Sequence, residues 1–495
     1  MQASLHSSNS EQSQAQNELN AIFTRMKTDK SHTSIKALCS YITKNRSNTD
    51  ETIKKISLFI NANDDTIPVN VILKTINSVL DLLTENSQMI NFLNMVLPIL
   101  VHLIYYNNRT VNELDSITDT IGSLIKDRGI FIRQIIESKI EELFDKFSND
   151  SASFKFENTK YAMIKLLSVI IYNSPTISYN TISDKSTFEI FLKVLDNFKD
   201  NKEEIRKSIG DLIGKFFIML NNRDKKTKYE KTKNIYERIN KQFVKYITDN
   251  NPPSNHHIVD GWALALSNFS LQKDFIKKKF EDIMTLILAC RNSKSTQIKI
   301  TILNFLPFIA QCDIDKYVKE YSHLIVKFMI ELLTPKQNQD VRNALFYSFG
   351  QFSKFLPKTD NFISLYNKVI DVISQCFEKD IIDLSILECL SNILNYYREE
   401  VKARININEI LSKMFKIGFS QSHMHLIQQI LYSYGENTQE HIKTLVSVLN
   451  VISVIICDSN FVLFDSKRFL NEPSCPFNLE SEKDSLNVIK KSFIL

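Results

Sequence analysis

The side chains that most often carry out chemistry are scattered along this chain. Of the nine histidines, those close together in sequence are the adjacent pair His256-His257 and the pair His423 and His425. Neither spacing brings two imidazoles together on one helix face, where neighbours lie three or four residues apart. The seven cysteines are widely separated and include no CxxC pair, which favours reduced, mostly buried thiols. The sequence therefore predicts no metal site.

Nucleotide-binding and kinase motifs are also missing from the sequence. It contains no GxGxxG or GxxxxGK[ST] phosphate-binding loop, and no HRD or DFG element of a protein kinase. Eight glycines among 495 residues leave little room for such loops. We therefore predict no catalytic residue, no cofactor and no small-molecule substrate, and we expect this chain not to be an enzyme by itself.

One segment has the composition of an electrostatic contact surface. Residues 223–233 read RDKKTKYEKTK, and Tyr229 and Tyr236 are interleaved with the basic side chains. Such a run can contact phosphates or an acidic partner, although a solvated helix face is the interpretation that the sequence favours. The lysines that would form the contact are Lys225, Lys226, Lys228, Lys231 and Lys233. The single tryptophan, Trp262, is interpreted as a core residue rather than an interface anchor.

Composition indicates the fold class and the compartment. Eight glycines is far below the average usage of about 7%, which argues for helices joined by short polar turns. A net charge of +5 with 56 interspersed acidic residues argues against a dedicated nucleic-acid-binding protein. The N-terminus lacks the apolar core of a signal peptide. The apolar stretch at 445–457 is shorter than the roughly 20 residues of a membrane span. We expect an all-α, cytoplasmic protein without a membrane span.

A repeat organises these helices. Ile298, Val341 and Leu384 occupy similar places in three helix–turn–helix units, and each lies 43 residues after the one before. A constant period of this length, with two amphipathic helices in each unit, predicts a HEAT- or armadillo-type α-solenoid. The residues that resemble the start of a second HEAT helix are Asp340, Val341, Arg342 and Ala344, and Glu204-Ile205-Arg206 repeats their pattern.

The same periodicity divides the chain into regions. Residues 1–16 are rich in Ser, Gln and Asn and are predicted to be a disordered tail. The predicted regions after it are HEAT-like hairpins over 17–250, HEAT repeats with a period of about 43 over 251–457, and a loop and terminal helix over 458–495. Because the chain ends on the apolar Phe493-Ile494-Leu495, we expect this last region to continue in a longer protein.

Three further segments are predicted individually, one as a connection and two as helices. Residues 173–186 read NSPTISYNTISDKS and are predicted to form a long polar connection. Apolar helices are predicted over 131–147 and over 442–456.

Two neighbouring segments resemble a known family. The sequences LACRNSKS at 288–295 and ITILNFLP at 300–307 together resemble the N-terminal HEAT solenoid of the target of rapamycin (TOR) kinases, which are phosphatidylinositol-3-kinase-related protein kinases. The similarity continues in register to about residue 457, whereas residues before about 200 are similar only in pattern. The turn that carries the resemblance is Cys290, Arg291, Asn292, Ser293 and Lys294.

The resemblance implies a scaffold arm rather than a catalyst. In that family, the arm helps to bind a Raptor-type subunit and supports dimer assembly with other components of the complex. It thus implies a role in TOR-type growth and nutrient signalling, with association with endomembranes through a complex. The kinase domain, the FAT region and the rapamycin-binding segment of the family have no counterpart in this sequence, so no catalytic residue is carried over.

Two alternatives to a free-standing scaffold stay open. The chain can be the N-terminal portion of a Ser/Thr protein kinase whose catalytic domain lies outside this sequence. A weaker alternative is an importin-like or adaptor-like transport solenoid. A ladder of Asn and Trp residues along one helix face would favour an importin, and the single Trp262 argues against it.

Overall fold

Helices are the only regular structure in the part of the chain that the computed structural model describes. This part comprises residues 2–28, 33–45, 48–62, 67–106, 109–128, 158–248, 256–334, 337–417 and 421–434, with two isolated positions at 138 and 142. The chain divides into two compact units. Unit 1 is Met1–Asn250 with His257–Phe275, and unit 2 is Asn251–His256 with Ile276–Leu495.

Unit 1 is built from consecutive helices of 8 to 27 residues. They are α1 (Gln2–Thr28), α2 (Thr33–Lys44), α3 (Thr49–Ala62), α4 (Val69–Leu82), α5 (Asn86–Tyr106), α6 (Val111–Arg128), α7 (Thr159–Asn173), α8 (Pro175–Ile182), α9 (Lys185–Leu195), α10 (Glu203–Leu220), α11 (Lys225–Thr248) and α12 (His256–Ser267). Short 3₁₀ turns at Asp196–Lys199 and Asn268–Gln272 follow α9 and α12, respectively.

Unit 2 continues the same helical pattern. Its helices are α14 (Phe280–Arg291), α15 (Thr296–Cys312), α16 (Ser322–Leu332), α17 (Gln339–Phe352), α18 (Asp360–Glu378), α19 (Leu384–Tyr396), α20 (Arg398–Arg404), α21 (Ile407–Ile417) and α22 (Gln421–Tyr434). The short α13 (Lys273–Lys278) lies across the division between the units.

Stacking of the second helix of each hairpin holds each unit together. In unit 1, α2, α4, α6, α7 and α10 contact one another in that order, and the turn at 268–272 packs on α10. In unit 2 the corresponding order is α15, α17, α19 and α22. Each of these helices buries an apolar stripe, as α15 does with Ile298, Ile302 and Phe305. Each hairpin packs on its neighbours in sequence, and the predicted α-solenoid fold is confirmed.

The period of the repeat is less regular than the sequence predicted. Ser295, Asn338 and Asp383 cap the three second helices with their side chains, and they lie 43 and then 45 residues apart. The buried residue three positions after Asp383 is Ile386, whereas Leu384 is 53% exposed. The alignment of Leu384 with Val341 was therefore wrong by two residues.

The sequence placed a boundary at residue 250, and the two units alternate along the chain just after it. Residues 251–256 belong to unit 2, whereas residues 257–275, with most of α12 and the turn after it, belong to unit 1. The Trp262 ring stacks on Phe243 with centroids 4.3 Å apart, and Phe269 meets Phe217 edge to face at 4.6 Å. Burial of these aromatic rings joins α12 to α10 and α11. The interpretation of Trp262 as a core residue is confirmed.

Two segments predicted to lack regular structure are helical. The helix α1 begins at Gln2, although residues 1–16 were predicted to be a disordered tail, and no glycine or proline interrupts it. The predicted connection at 173–186 contains α8, which starts with Pro175 at its first turn and buries Ser178 and Ile182. The helices predicted over 131–147 and 442–456, and the region 458–495, lie outside the described residues.

The helix α5 is the longest apolar element among the described residues. By length and composition, its residues 86–105 could cross a membrane, and 56% of the apolar window is buried inside the structure. This stretch is longer than the apolar run at 445–457. Phe92, Val96 and Leu100 are buried, and α5 contacts α3, α4 and α6. Packing within unit 1 accounts for its apolar composition.

A buried arginine joins two successive hairpins of unit 1. The Arg206 guanidinium pairs with Asp260, with Nε and Nη2 donating at 2.8 and 2.7 Å. Its Nη1 donates to the carbonyl oxygens of Asp200 and Asn201. Next to Asp260, Gly261 brings α12 so close that an added Cβ would lie 1.6 Å from the Phe198 carbonyl oxygen. All three nitrogens of the arginine therefore have partners, where α12 packs closely on the 196–199 turn.

The corrected register predicts a large effect on stability for one substitution and almost none for its neighbour. Ile386→Ala should lower the free energy of unfolding by about 2–5 kcal/mol, because it leaves a cavity between α17 and α19. Leu384→Ala should change it by less than about 0.5 kcal/mol, since that side chain is exposed. Urea denaturation followed by far-UV circular dichroism measures both. A larger loss of stability for Leu384→Ala than for Ile386→Ala would instead support the constant 43-residue register.

The close approach at Gly261 predicts a strong steric effect. Gly261→Ala should destabilise the protein by at least about 1–3 kcal/mol, because the new methyl group meets a backbone carbonyl that cannot rotate away. Gly350→Ala is the matched control. There the nearest atoms lie 3.1 and 3.2 Å from the added Cβ, and the gain in helix propensity offsets a small clash. Thermal unfolding of the two variants compares them, and equal shifts would contradict the geometry.

Candidate protein-interaction surfaces

The turn that carries the family resemblance connects α14 to α15. Cys290 is buried in the last turn of α14, and burial raises the pKa of its thiol to about 11. Arg291 donates to the Leu324 carbonyl oxygen at 3.4 Å. The Ser293 hydroxyl accepts from the N–H of Ser295, which in turn caps α15. Most of this turn therefore shapes the hairpin, and only Asn292 and Lys294 are exposed to a partner.

The predicted repeat signature is partly structural and partly exposed. Val341 and Ala344 are buried between α15 and α17. Asp340 is exposed and does not cap the helix, because the Asn338 side chain accepts from its N–H at 2.8 Å. Arg342 donates to the Gln339 side chain. The same pattern at Glu204-Ile205-Arg206 instead buries its arginine in an ion pair, so the motif does not determine the role of its arginine.

Of the five lysines predicted to form an electrostatic contact, only the three in the first turn of α11 have no side-chain partner among the described residues. Lys231 packs on the Phe188 ring, with Nζ 3.5 Å from the centroid, and burial lowers its pKa. Lys233 pairs with Glu237 at 3.6 Å. Tyr236, one of the two interleaved tyrosines, is buried. The lysines that form no ion pair within the described residues are Lys225, Lys226 and Lys228.

Outward-facing charges of unit 1 pair with one another across successive second helices. Asp115 on α6 accepts from the Tyr161 hydroxyl and from Lys165 on α7, both at 2.6 Å. On the next interface, the Ser168 hydroxyl donates to Asp211 on α10. These partners lie on neighbouring hairpins, so they stabilise the stack.

A polar cluster joins the starts of α17 and α19 in unit 2. Gln339 donates to Asp383, and the Ser385 hydroxyl donates to Asp383 at 2.6 Å. The Asn343 amide nitrogen donates to Ser385 Oγ and to Asp383, each at 3.1 Å. The cluster aligns the exposed surfaces of the two helices.

Beyond this cluster, the outward surface of α15, α17 and α19 is rich in side-chain amides. We call it the amide face, and it consists of Gln297, Asn304, Gln311, Asn343, Tyr347, Gln351, Asn392, Asn395 and Tyr396. The charged residues beside it are Asp340, Arg342, Lys354 and Glu388. Asn304, Gln311 and Asn395 make no hydrogen bond to any other described residue. Their amides are therefore available to both donors and acceptors of a ligand.

The amide face has a signal in the sequence. Gln297, Asn304 and Gln311 are seven residues apart, so they lie along one side of α15. Among the described residues, no group of three or more His, Cys, Asp or Glu side chains could hold a metal ion.

Comparisons with known proteins support this fold and indicate a distant relative. No protein-family model matches the chain. The chain is 21% identical over 272 residues to the serine/threonine-protein kinase TOR2 of Saccharomyces cerevisiae. The match covers 53% of this chain and 10% of the yeast protein, so the chain spans a small part of that relative's length.

Solved structures of the karyopherin Kap121p are similar over most of the chain. The unbound protein superposes with a TM-score of 0.52 at 12% identity, over 96% of this chain and 45% of that one. The complexes with Ulp1p and Nup53p give TM-scores of 0.51 and 0.52 at 13% identity, over 88% of this chain. They cover 43% and 44% of those chains. At this level of identity the likeness shows the fold, which is a helical solenoid of HEAT type.

Proposed function

We propose that this chain is a non-catalytic scaffold that binds protein partners through the amide face of unit 2. The observation that supports this proposal is the composition of the amide face. It presents tyrosines and side-chain amides, and Asn304, Gln311 and Asn395 make no hydrogen bond to another described residue. The cores of protein interfaces are enriched in tyrosine and depleted of Lys, Glu and Asp, because burying an uncharged amide costs less than burying a charge.

The sequence match to TOR2 suggests where such a scaffold acts. We propose a role in TOR-type growth and nutrient signalling, in the cytoplasm and with association with endomembranes through a complex. The partners would be a Raptor-type subunit and other components of the complex, including a second copy in a dimer. The similarity at 21% identity over half the chain supports this proposal, as does the turn at 290–294. In the alternative form of the proposal, the chain is the N-terminal portion of the kinase polypeptide.

A transport-type solenoid is the second candidate. The similarity to Kap121p favours it, because it extends over 88–96% of this chain. Kap121p was crystallised with Pho4p and with Nup53p, so its solenoid binds protein segments. An amide face could serve either role. The proteins that bind to it will distinguish a signalling scaffold from a transport receptor.

Substitution of exposed amides should weaken partner binding without unfolding the chain. Asn304→Ala with Asn395→Ala removes two amides from different helices of the amide face. If each contributes one hydrogen bond to a partner, recovery of that partner should fall about tenfold or more. The measurement is immunopurification of the tagged full chain at native expression, followed by quantitative mass spectrometry.

The matched control is Asn91→Ala with Asn94→Ala, which removes two exposed asparagines from α5. A Raptor-type subunit lost only in the first variant would support the signalling role, and transport cargo lost in the same way would support the second candidate. Peptides of a kinase domain in the same polypeptide would show that the chain is the N-terminal portion of a kinase. Equal partner recovery from the two variants would refute a binding role for the amide face.

A further inference from the structure

We propose that unit 1 binds an acidic amphipathic helix of a partner protein along the C-terminal ends of its second helices. This edge has two parts, which we call the apolar row and the basic turn. The apolar row is Tyr172, Ile218 and Leu271, and the basic turn is Lys225, Lys226 and Lys228. The proposal does not depend on the amide face, which lies in the other unit.

Contacts between α7 and α10 determine the register of the first two row residues. The Ser168 hydroxyl donates to Asp211, and one turn later the Lys215 ammonium lies 5.3 Å from the Tyr172 ring centroid. The two helices therefore run parallel, with matched positions 43 residues apart. Ile218 follows Lys215 by three residues, so it lies on the same face of α10. Tyr172 and Ile218 are neighbours on adjacent helices.

The turn after α12 brings the third residue to the same edge. The Asn268 side chain fills the space beside Gly214, with its Oδ1 2.8 Å from the position of an added Cβ. Further along, the Gln272 amide donates to the Asn221 Oδ1 at 3.2 Å. The segment between these two contacts runs beside the last turn of α10. Leu271 therefore lies next to the end of α10 that carries Ile218.

These side chains are exposed although they are large and apolar. Tyr172 is 53% exposed, Ile218 43% and Leu271 41%. A single exposed apolar residue is ordinary, but three in register on successive helices form a contiguous patch of the kind that marks an interaction site. The rest of the apolar stripe on each of these helices is buried.

The basic turn lies at the same end of the second helices. It follows α10 directly, and Asp224 caps it by accepting from the Thr227 N–H at 2.9 Å. The Arg223 guanidinium packs on the Tyr179 ring at 3.8 Å, and the Tyr229 ring meets Phe275 at 5.7 Å. These contacts place the turn between α8 and the end of the 268–272 segment. Its three lysines form no ion pair within the described residues, so their charge is available to an acidic partner.

The spacing of the row fits a helix. Packed helices lie about 8–10 Å apart, and a helix rises by about 1.5 Å per residue. Apolar side chains at about every seventh position of a crossing helix would therefore meet successive members of the row. An extended peptide would instead need hydrogen-bond partners for its backbone, and the apolar row offers none. A helix satisfies its own backbone and uses acidic side chains toward the basic turn.

A synthetic peptide provides the direct test. The probe is a fluorescein-labelled peptide of about 18 residues, with leucine at about every seventh position and glutamate and glutamine elsewhere. Fluorescence anisotropy with the full chain measures its Kd, and circular dichroism measures its helicity. We expect binding with a gain in helicity. Ile218→Ser with Leu271→Ser should weaken it about tenfold or more, and salt should weaken it further.

Charge reversal tests the second part of the edge. Lys225→Glu with Lys226→Glu and Lys228→Glu should weaken the peptide at least as strongly. The control with the same charge change is Lys36→Glu, Lys44→Glu and Lys54→Glu, at exposed lysines on α2 and α3. The apolar control is Leu58→Ser, at a 59% exposed leucine of α3. Neither control should change the Kd, and circular dichroism confirms that all variants are folded.

Three outcomes would overturn the proposal. The first is equal affinity for a scrambled peptide without the leucine spacing. The second is equal weakening by the control variants. The third is binding to anionic phosphatidylserine vesicles through the same residues without binding to the peptide, which would make the edge a membrane-binding surface. Loss of peptide binding with intact partner recovery in the amide-face experiment would separate this edge from the proposed function.

Discussion

The rest of the structure depends on one constraint, that no hairpin of this chain can bury its apolar stripe alone. Each second helix is covered on both sides by the second helices of neighbouring hairpins, as α17 is by α15 and α19. Close helix approaches at Gly261 and Gly350 and capping side chains such as Asp383 adjust this stacking locally. Because the apolar surface is used for stacking, the outward polar surface is left to differ between the units.

Sequence periodicity was sufficient to predict the fold, because buried stripes recur at helical spacing whatever the turns between them do. It was not sufficient to predict the register, since Asp383 caps its helix two residues later than a constant period requires. The return of residues 257–275 to unit 1 was not predicted either. A proline-rich break at 250–253 was an obvious sequence signal, whereas the stacking of Trp262 on Phe243 depends on a contact between separate helices.

The candidate surfaces were harder to predict, because exposure depends on which neighbour covers each helix. Lys231 looked like any other lysine of its run, yet it packs on a phenylalanine from another helix. Ile218 looked like a core residue by composition and is 43% exposed. Only the amide face can be recognised in the sequence, by the seven-residue spacing of Gln297, Asn304 and Gln311. One face for polar ligands and one edge for an acidic amphipathic helix would let a single scaffold hold two different partners.

The buried pair of Arg206 and Asp260 has a consequence for how unit 1 comes apart. In a stack of repeats, terminal hairpins fray first because they have one neighbour. Here, opening α12 alone would strand a buried guanidinium without its carboxylate, which costs several kcal/mol. Hydrogen exchange should therefore show α12 and α10 opening as one cooperative foldon rather than in sequence. The pair therefore makes the opening of α10 and α12 cooperative.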